Sequence, residues 1–317
     1  MLSEVRRGID SMNAITSLRE TRVSTASPLN EFSVRLDQQA TRCSPPYTLQ
    51  WRQDQLLVKP SQSVKQPELS VLKNKEGLVR CLNHSPVRVV RIDPALGDTR
   101  LQRWADACEQ AGKQVFLSIP SNAELPRKRS PFTWYLKRIL DWSVAALLLL
   151  ILSPVLLALA LLIRIDSPGP IFFRQWRVGK RGRLFRIIKF RSMVVNAEQF
   201  HHQVMGDLSG LHKREDDPRL TPLGLWMRKY SLDELPQLIN VVRGEMSLVG
   251  PRPWALYDAV RLSPEGQRRL NARPGITGLW QVEARANLLA IEAVNRWDLE
   301  YLSTWTYVSH YCESTSP

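Results

Sequence analysis

The sequence predicts a mixed α/β protein that a re-entrant membrane helix hairpin holds at a lipid bilayer. An uncharged apolar run extends from Trp142 to Ile163 and is interrupted near its middle by Ser153-Pro154. Short strand-like and helix-like stretches alternate before this run, and a second mixed pattern follows it. The chain has 317 residues and a net charge of +14, which fits two modest domains besides the anchor and indicates an anionic partner.

The amino-terminal part predicts a disordered stretch followed by a small folded module. Residues 1–48 are rich in Ser, Thr and Arg with weak periodicity, which is typical of disorder. Residues 49–125 predict an α/β module with strands at Gln55–Val58, Val87–Ile92 and Gln114–Ile119. A helix between the last two strands is indicated by apolar positions at helical spacing: Leu101, Trp104, Ala105, Cys108 and Ala111. The module resembles STAS-type regulatory modules. It contains no group of residues that predicts a catalytic or metal site, so we expect a structural or regulatory role.

Cysteine usage and the start of the chain predict a cytosolic compartment. The four cysteines are scattered, without a CxxC pair or metal-ligand spacing, which predicts reduced thiols: Cys43, Cys81, Cys108 and Cys312. Residues 1–25 lack the apolar core of a signal peptide, so we expect the internal apolar segment to direct insertion.

Basic residues flank the apolar run on both sides and favour one membrane topology. Such residues stay on the cytoplasmic side, so a simple span satisfies only one flank. A hairpin that enters and leaves by the same face satisfies both, and Pro154 makes a bend available because it lacks an N–H and clashes with the preceding turn. The flanking residues are Arg127, Lys128, Arg129, Lys137 and Arg138 before the run, and Arg164, Arg174, Arg177, Lys180, Arg181, Arg183 and Arg186 after it.

We therefore predict a basic linker at residues 126–136 and a re-entrant membrane helix at 137–165, anchored through residues 142–163. Each half of the hairpin has about ten residues, roughly 15 Å of helix and about half the hydrocarbon thickness. The alternative is an ordinary single span with a proline kink, which membrane helices tolerate.

The strongest chemical candidate is the adjacent carboxylate pair Asp233-Glu234 in the segment SLDELPQL. In one interpretation, Ser231 caps a helix, Glu234 completes a capping box and Asp233 complements the helix dipole. In the other, one carboxylate is a nucleophile and its neighbour binds a divalent cation, which carboxylates need if they are to face phosphate oxygens. Pro236 argues against an unbroken helix from Leu232 and instead marks a first helical turn.

Five basic residues sit in positions that predict an oxyanion-binding site. One follows the strand-like stretch Leu184–Ile188, and most of the others are next to prolines or turn residues that restrict the backbone and can present a guanidinium to a phosphate. Each by itself also fits a solvated surface residue. The five are Lys189, Arg191, Arg219, Arg252 and Arg273.

Other functional classes find little support in the sequence. His201, His202 and His212 do not have the spacing of a common metal site. Walker, Rossmann and nucleophile-elbow glycine motifs are missing from the sequence. Binding to nucleic acid would rest on net charge alone, and the long apolar segment argues against it.

Three blocks of the sequence resemble the bacterial sugar transferases, also called monotopic phosphoglycosyl transferases. They extend from Lys137 to Met193, from Asp216 to Pro253 and from Arg273 to Val282, in family order. The resemblance implies that residues 166–317 form a catalytic domain at the cytoplasmic face of the bacterial inner membrane. It implies transfer of a sugar-1-phosphate from a nucleotide diphospho-sugar, usually a UDP-sugar, to polyprenyl (undecaprenyl) phosphate, which initiates exopolysaccharide or glycoconjugate synthesis.

The resemblance also implies roles for individual residues. Asp233 would attack the phosphate next to the sugar and form a covalent aspartyl intermediate, while Glu234, together with Asp233, would bind Mg²⁺. Lys189, Arg191, Arg219, Arg252 and Arg273 fall on motif positions that fit binding of phosphate or phospho-sugar. The interruption at Ser153-Pro154 matches the family's re-entrant helix.

Two departures from the family pattern keep a second hypothesis open. The amino-terminal region holds a soluble α/β module where related chains often carry several membrane helices, and the sequence after Trp305 is shorter than usual. The alternative is a non-catalytic, membrane-anchored scaffold or regulator of polysaccharide assembly. A homo-oligomer and contacts with other assembly proteins fit either hypothesis, and no motif identifies the sugar or the glycan.

Overall fold

The computed structural model of the chain describes residues 47–60, 74–118, 131–197, 217–259, 266–278, 281 and 291–304. The predictions for residues 1–46, for the basic residues 127–129 and for the three histidines at 201, 202 and 212 lie outside these ranges. The chain forms two compact units, one up to Phe116 and one from Leu117 onward, and each is described by itself.

The first unit is a four-stranded sheet with two helices. Its elements are β1 (Tyr47–Arg52), β2 (Gln55–Pro60), α1 (Lys75–His84), β3 (Val89–Ile92), α2 (Asp98–Gln110) and β4 (Gln114–Leu117). The strand order is β1-β2-β3-β4, with β1 antiparallel and β3 parallel to β2. Trp104 and Leu101 of α2 are buried with Val90 and Ile92 of β3, so the apolar faces of helix and sheet form the core.

The sequence predicted this α/β module only in part. Strands β2, β3 and β4 and helix α2 were predicted, whereas β1 and α1 were missed. Strand β1 begins at Tyr47, just inside the stretch that was predicted to be disordered. Helix α1 contains Gly77, which lowers helix propensity, and it is held by two buried leucines one turn apart, Leu78 and Leu82. The resemblance to STAS-type modules stays a prediction.

The two cysteines that the structure describes are free thiols, as predicted for a reducing compartment. Cys81 is exposed and Cys108 is buried in helix α2. Burial raises the pKa of the Cys108 thiol to about 12, so this thiol is unreactive at neutral pH.

Helix α3 (Pro131–Asp166) contains the whole apolar run and is long and apolar enough to cross a membrane. It begins at Pro131, so the last six residues of the predicted linker, 131–136, belong to the helix. Most of its apolar side chains are exposed, and Leu150, Leu157 and Ile165 each expose more than 70% of their surface. A soluble protein rarely exposes so large a continuous apolar surface, so this helix is consistent with a membrane-anchoring segment.

Helix α3 continues through Ser153-Pro154 and is not divided into two helices there. Pro154 cannot donate the backbone hydrogen bond that Leu150 would otherwise accept. The Ser153 hydroxyl donates to the Leu150 carbonyl instead, at 2.8 Å, so the acceptor stays satisfied inside the apolar segment. The predicted break is therefore a compensated proline within one helix, and the re-entrant path stays a prediction.

The remainder of the second unit surrounds a three-stranded antiparallel sheet. Its elements are β5 (Phe172–Val178), β6 (Leu184–Phe190), α4 (Pro222–Lys229), α5 (Gln237–Val242), β7 (Ser247–Val249), β8 (Trp254–Ala255), α6 (Leu256–Ala259), β9 (Gly275–Thr277) and α7 (Ile291–Thr304). The strand order is β6-β5-β8, and β7 pairs in parallel with β9.

Both halves of α3 pack against the other elements of the second unit. Ala145 in the first half joins a core with Phe185, Ile187 and helix α5. Leu159 and Ile163 in the second half join a core with Phe190 of β6 and with Met227 of α4. One stripe of the helix is thus buried against the domain while the rest of its surface stays exposed.

Candidate active site

The carboxylate pair lies on a short 3-10 turn, Leu232–Glu234, between helices α4 and α5. Ser231 precedes the turn with a left-handed backbone (φ 57°), and its side chain forms no cap hydrogen bond. The Glu234 carboxylate accepts a hydrogen bond from Lys189. The capping-box interpretation is therefore wrong, while helix α5 does begin directly after Pro236 as predicted.

Lys189 lies opposite the pair and forms an ion pair with Glu234, with 2.7 Å between Nζ and Oε1. Burial lowers the pKa of Lys189, and the negative charges of Glu234 and Asp233 oppose that shift. Asp233 itself is only 8% exposed. A carboxylate in a partly desolvated site next to a cation keeps few water molecules around it. Its oxygen can therefore attack a phosphorus atom directly.

Asn240 fixes the position of Lys189 relative to the pair. Strand β6 is an edge strand, and the Asn240 side chain accepts from the Ile188 N–H (3.0 Å) and donates to the Arg186 carbonyl (2.8 Å). Helix α5 is thereby hydrogen bonded to the strand that carries Lys189. Because Asn240 is fully buried, these bonds are protected from water.

Two further arginines that the sequence analysis had not selected act on the same carboxylates. Arg228 of α4 donates to the Ser192 hydroxyl at 2.9 Å, and burial lowers its pKa against the opposing charge of Asp233. Arg177 of β5 donates to the Gln175 side chain, while its Nε is buried without an acceptor among the described residues. Burial lowers the pKa of Arg177, and Glu234 is among the charges that oppose the shift. Both arginines can therefore bind an anionic ligand that enters the site.

Arg252 is brought to the pair by a clamp on its backbone. The Asp298 carboxylate of α7 accepts from the Arg252 N–H at 3.3 Å, and Arg269 donates to the Arg252 carbonyl at 2.6 Å. Arg269 and Asp298 form an ion pair whose side chains are each 1% exposed. Burial lowers the pKa of Arg252, and Glu234 is the strongest charge that opposes the shift. The backbone N–H and the backbone carbonyl of Arg252 are thus both held by hydrogen bonds.

The other three predicted cations interact elsewhere. Arg191 donates to the carbonyls of Ser167 and Pro168, where it fixes the turn that leaves helix α3. Arg219 binds the Asp217 carboxylate through two nitrogens, at 2.8 and 2.6 Å, and this pair is near Arg228. Arg273 donates to the Gly244 carbonyl and faces Arg138. The structure therefore gathers Lys189 and Arg252 at the pair, but not these three.

Comparison with known proteins identifies the family of this chain. The sequence model of the bacterial sugar transferase family matches residues 132–311, more than half of the chain. This chain belongs to the bacterial sugar transferase family. The match covers helix α3, the carboxylate pair and the cations described above.

Relatives with assigned names support the same family. The galactosyl transferase CpsE of Streptococcus agalactiae is 44% identical over 173 residues, 54% of this chain and 38% of the relative. The UDP-glucose:undecaprenyl-phosphate glucose-1-phosphate transferase of Caulobacter vibrioides is 44% identical over 178 residues, 54% and 63% of the two chains. The undecaprenyl-phosphate galactose phosphotransferase of Salmonella typhimurium is 38% identical over 199 residues, 61% and 40% of the two chains. The chain spans less than two thirds of the length of each of these relatives.

The carboxylate pair supplies oxygen donors of the kind that Mg²⁺ binds. The described residues contain no group of three or more His, Cys, Asp or Glu side chains that could hold a metal alone. Mg²⁺ is commonly bound through one or two carboxylates together with substrate phosphates and water. Asp233 and Glu234 supply such a pair, so the residues present fit a cation that arrives with a phosphorylated ligand.

The clamp on Arg252 makes a testable prediction for the stability of the sugar transferase. Asp298→Asn leaves the Arg269 charge buried without its partner, so we expect the free energy of unfolding to fall by about 3–5 kcal/mol. The matched control is Asp106→Asn, which breaks an ion pair with Lys75 in which the side chains of Lys75 and Asp106 are 43% and 30% exposed, and it should cost less than about 1 kcal/mol. Denaturant unfolding of the full chain in detergent measures both, and equal small effects would contradict the clamp.

Proposed function

We propose that this protein transfers a sugar-1-phosphate from a nucleotide diphospho-sugar, specifically a UDP-sugar, to polyprenyl (undecaprenyl) phosphate. The observation that supports this most is the Asp233-Glu234 pair, surrounded by Lys189, Arg177, Arg228 and Arg252 beside a membrane helix. The guanidinium and ammonium groups of these four residues supply charged donors for a diphosphate, and Asp217, Asp258 and Asp298 also interact with the arginines. The names of the relatives agree with this reaction, which would initiate exopolysaccharide or glycoconjugate synthesis.

In the first step, a carboxylate oxygen of Asp233 attacks the phosphorus atom next to the sugar. The bond from that phosphorus to the oxygen bridging the two phosphates breaks, and the nucleoside monophosphate leaves with the electron pair. The product is an aspartyl phospho-sugar in which an acyl phosphate joins Asp233 to the sugar phosphate. The arginines neutralise charge on the transferred and leaving phosphates, so that one anion can approach another.

In the second step, an oxygen of the lipid phosphate attacks the same phosphorus, and the bond to the Asp233 oxygen breaks. Asp233 returns as a carboxylate, and the product is a polyprenyl diphospho-sugar. Lys189 holds Glu234 in place beside the reacting phosphate throughout. Mg²⁺ held by Asp233 and Glu234 would supply charge neutralisation of the diphosphate when it is bound.

We further propose that α3 is re-entrant and that the site lies at the cytoplasmic face of the inner membrane. Arg138, before the apolar run, donates to the Val241 carbonyl of helix α5, and Arg191 holds the turn directly after the run. Both ends of the helix thus contact the same domain. Because one folded domain can lie on only one side of the membrane, both ends must be on that side. A span of about 30 Å would place these two ends on opposite faces.

Cysteine accessibility tests this topology. Tyr135 and Ile165 flank the apolar run and expose 67% and 73% of their surface. Cysteines placed at these positions, in a chain without its natural cysteines, should both react with a membrane-impermeant maleimide in inverted vesicles and neither should react in intact spheroplasts. Labelling of the two positions from opposite sides would support a single span instead.

A donor panel tests the proposed reaction. Membranes that contain the full chain are incubated with polyprenyl phosphate, Mg²⁺ and each of several UDP-sugars, and released UMP is measured. We expect one or two sugars to give UMP release that depends on the lipid phosphate. Lack of release with every nucleotide sugar tried would favour the scaffold or regulator hypothesis.

A further inference from the structure

A second basic cluster lies beside the first turns of helix α3, in a cleft separate from the carboxylate pair. Its lining includes Trp134, Arg138 and Asp141 of α3, together with Ser247, Arg273 and Tyr301. Arg273 interacts here with Arg138 and Asp141, whereas the cations of the proposed active site interact with Glu234 and Asp233. The cleft is therefore a distinct electrostatic environment.

Two guanidinium groups meet at Gly244 in this cleft. Arg273 Nε donates to the Gly244 carbonyl at 3.1 Å, and a Cβ atom placed on Gly244 would lie 3.1 Å from Arg138 Nη2. Burial lowers the pKa of Arg273, and the charge of Arg138 lowers it further. The Lys180 ammonium lies 5.5 Å from the centre of the Trp134 ring, and its pKa is lowered by burial and by Arg273. Gathering these like charges costs free energy that a bound anion would offset.

The acid in the cleft is already occupied by other donors. Asp141 accepts from Lys137 Nζ at 2.8 Å, from the Ser247 hydroxyl at 2.7 Å and from the Leu248 N–H at 3.3 Å. Within the parts of the chain that the structure describes, the terminal nitrogens of Arg273 and the Lys180 ammonium have no hydrogen-bond acceptor. Charged donors therefore remain available for an anion.

The neighbouring face of α3 is apolar and exposed. Phe132, Tyr135, Ile139 and Trp142 each expose at least 44% of their surface within three helical turns of the cleft. Phosphate-binding donors beside a surface that suits acyl chains match an amphiphile whose phosphate lies at the membrane interface. We propose that this cleft binds the phosphate of a membrane lipid headgroup, at a site separate from the one where the sugar-phosphate is transferred.

Thermal unfolding of the full chain in detergent tests this site with three probes at equal concentration. The probes are the short-chain lipid dihexanoyl phosphatidylglycerol, inorganic phosphate and UMP. We expect the lipid to raise the melting temperature of the natural protein, and its affinity to fall about tenfold or more in Arg273→Gln and in Lys180→Gln, each of which removes a charged donor. Lys180→Gln disturbs no hydrogen bond of the described residues, so it keeps the test valid if Arg273→Gln unfolds.

Two control variants distinguish this site from the proposed active site and from general charge. Arg183→Gln removes an exposed arginine of the same basic region, and Asp233→Asn alters the proposed nucleophile, so both should keep the lipid response. An equal response to inorganic phosphate, or a UMP response that is lost in both cleft variants, would overturn the lipid assignment. Loss of the response in Asp233→Asn, or its persistence in both cleft variants, would overturn the site.

Discussion

Asp233→Asn is expected to reduce release of nucleoside monophosphate by about a thousandfold or more, because the amide cannot form the phosphoester bond. The substitution preserves the size of a side chain that is only 8% exposed, so the fold should be retained. Mass spectrometry of the natural protein, incubated with donor but without lipid, should show a phospho-sugar on the peptide that contains Asp233. The variant should lack this adduct.

The matched control is Asp54→Asn, which changes an exposed carboxylate at the turn between β1 and β2. It should release the nucleotide at the natural rate. Full activity of Asp233→Asn, or an adduct on another residue, would exclude Asp233 as the nucleophile even if the overall transfer reaction were present. Single-turnover measurements without the lipid acceptor separate the first step from the second.

The ion pair between Lys189 and Glu234 makes the second large prediction. Lys189→Met leaves the Glu234 charge without its hydrogen-bonded partner, and Glu234→Gln removes one of the two carboxylates proposed to bind Mg²⁺. We expect each variant to lose about a hundredfold in kcat/KM. The double variant should lose less than the product of the two single losses, by about tenfold or more, because both remove the same charge-assisted hydrogen bond.

Lys229→Met provides the control for this cycle, because Lys229 is exposed at the end of the helix that carries Arg228. Its effect on kcat/KM should be small. Strict additivity of Lys189→Met and Glu234→Gln would show that the two side chains do not act on the reaction through their ion pair. Melting temperatures of all variants exclude unfolding as the cause of lost activity.

The carboxylate pair could be found from the sequence, but its environment could not. Adjacent acids after a serine predict a capping box as readily as a catalytic pair, since both use the same local pattern. The choice depends on Lys189, 45 residues away along the chain. That contact exists because Asn240 binds the edge of strand β6, and no local signal predicts such an interaction.

The sequence alone likewise could not show which basic residues lie at the carboxylate pair. The sequence drew attention to arginines beside prolines and turns, and Arg252 does face Glu234. Arg191 and Arg273 belong to similar turns but bind backbone carbonyls near the ends of α3 and α5. Arg177 and Arg228 lie within a strand and a helix, where neither proline nor glycine marks them. Their interaction with the carboxylates arises only from the tertiary structure.

The sequence by itself determined that the chain has an apolar helix suited to a membrane, an α/β module before it and a carboxylate pair after it. These features depend on local composition: an apolar run, short periodic segments and neighbouring acids. The tertiary structure alone decided which cations surround the pair, that Ser153 compensates for Pro154, and that Arg269 and Asp298 hold Arg252. Such choices depend on side chains far apart in sequence, whose burial and hydrogen bonding arise only when strands and helices pack together.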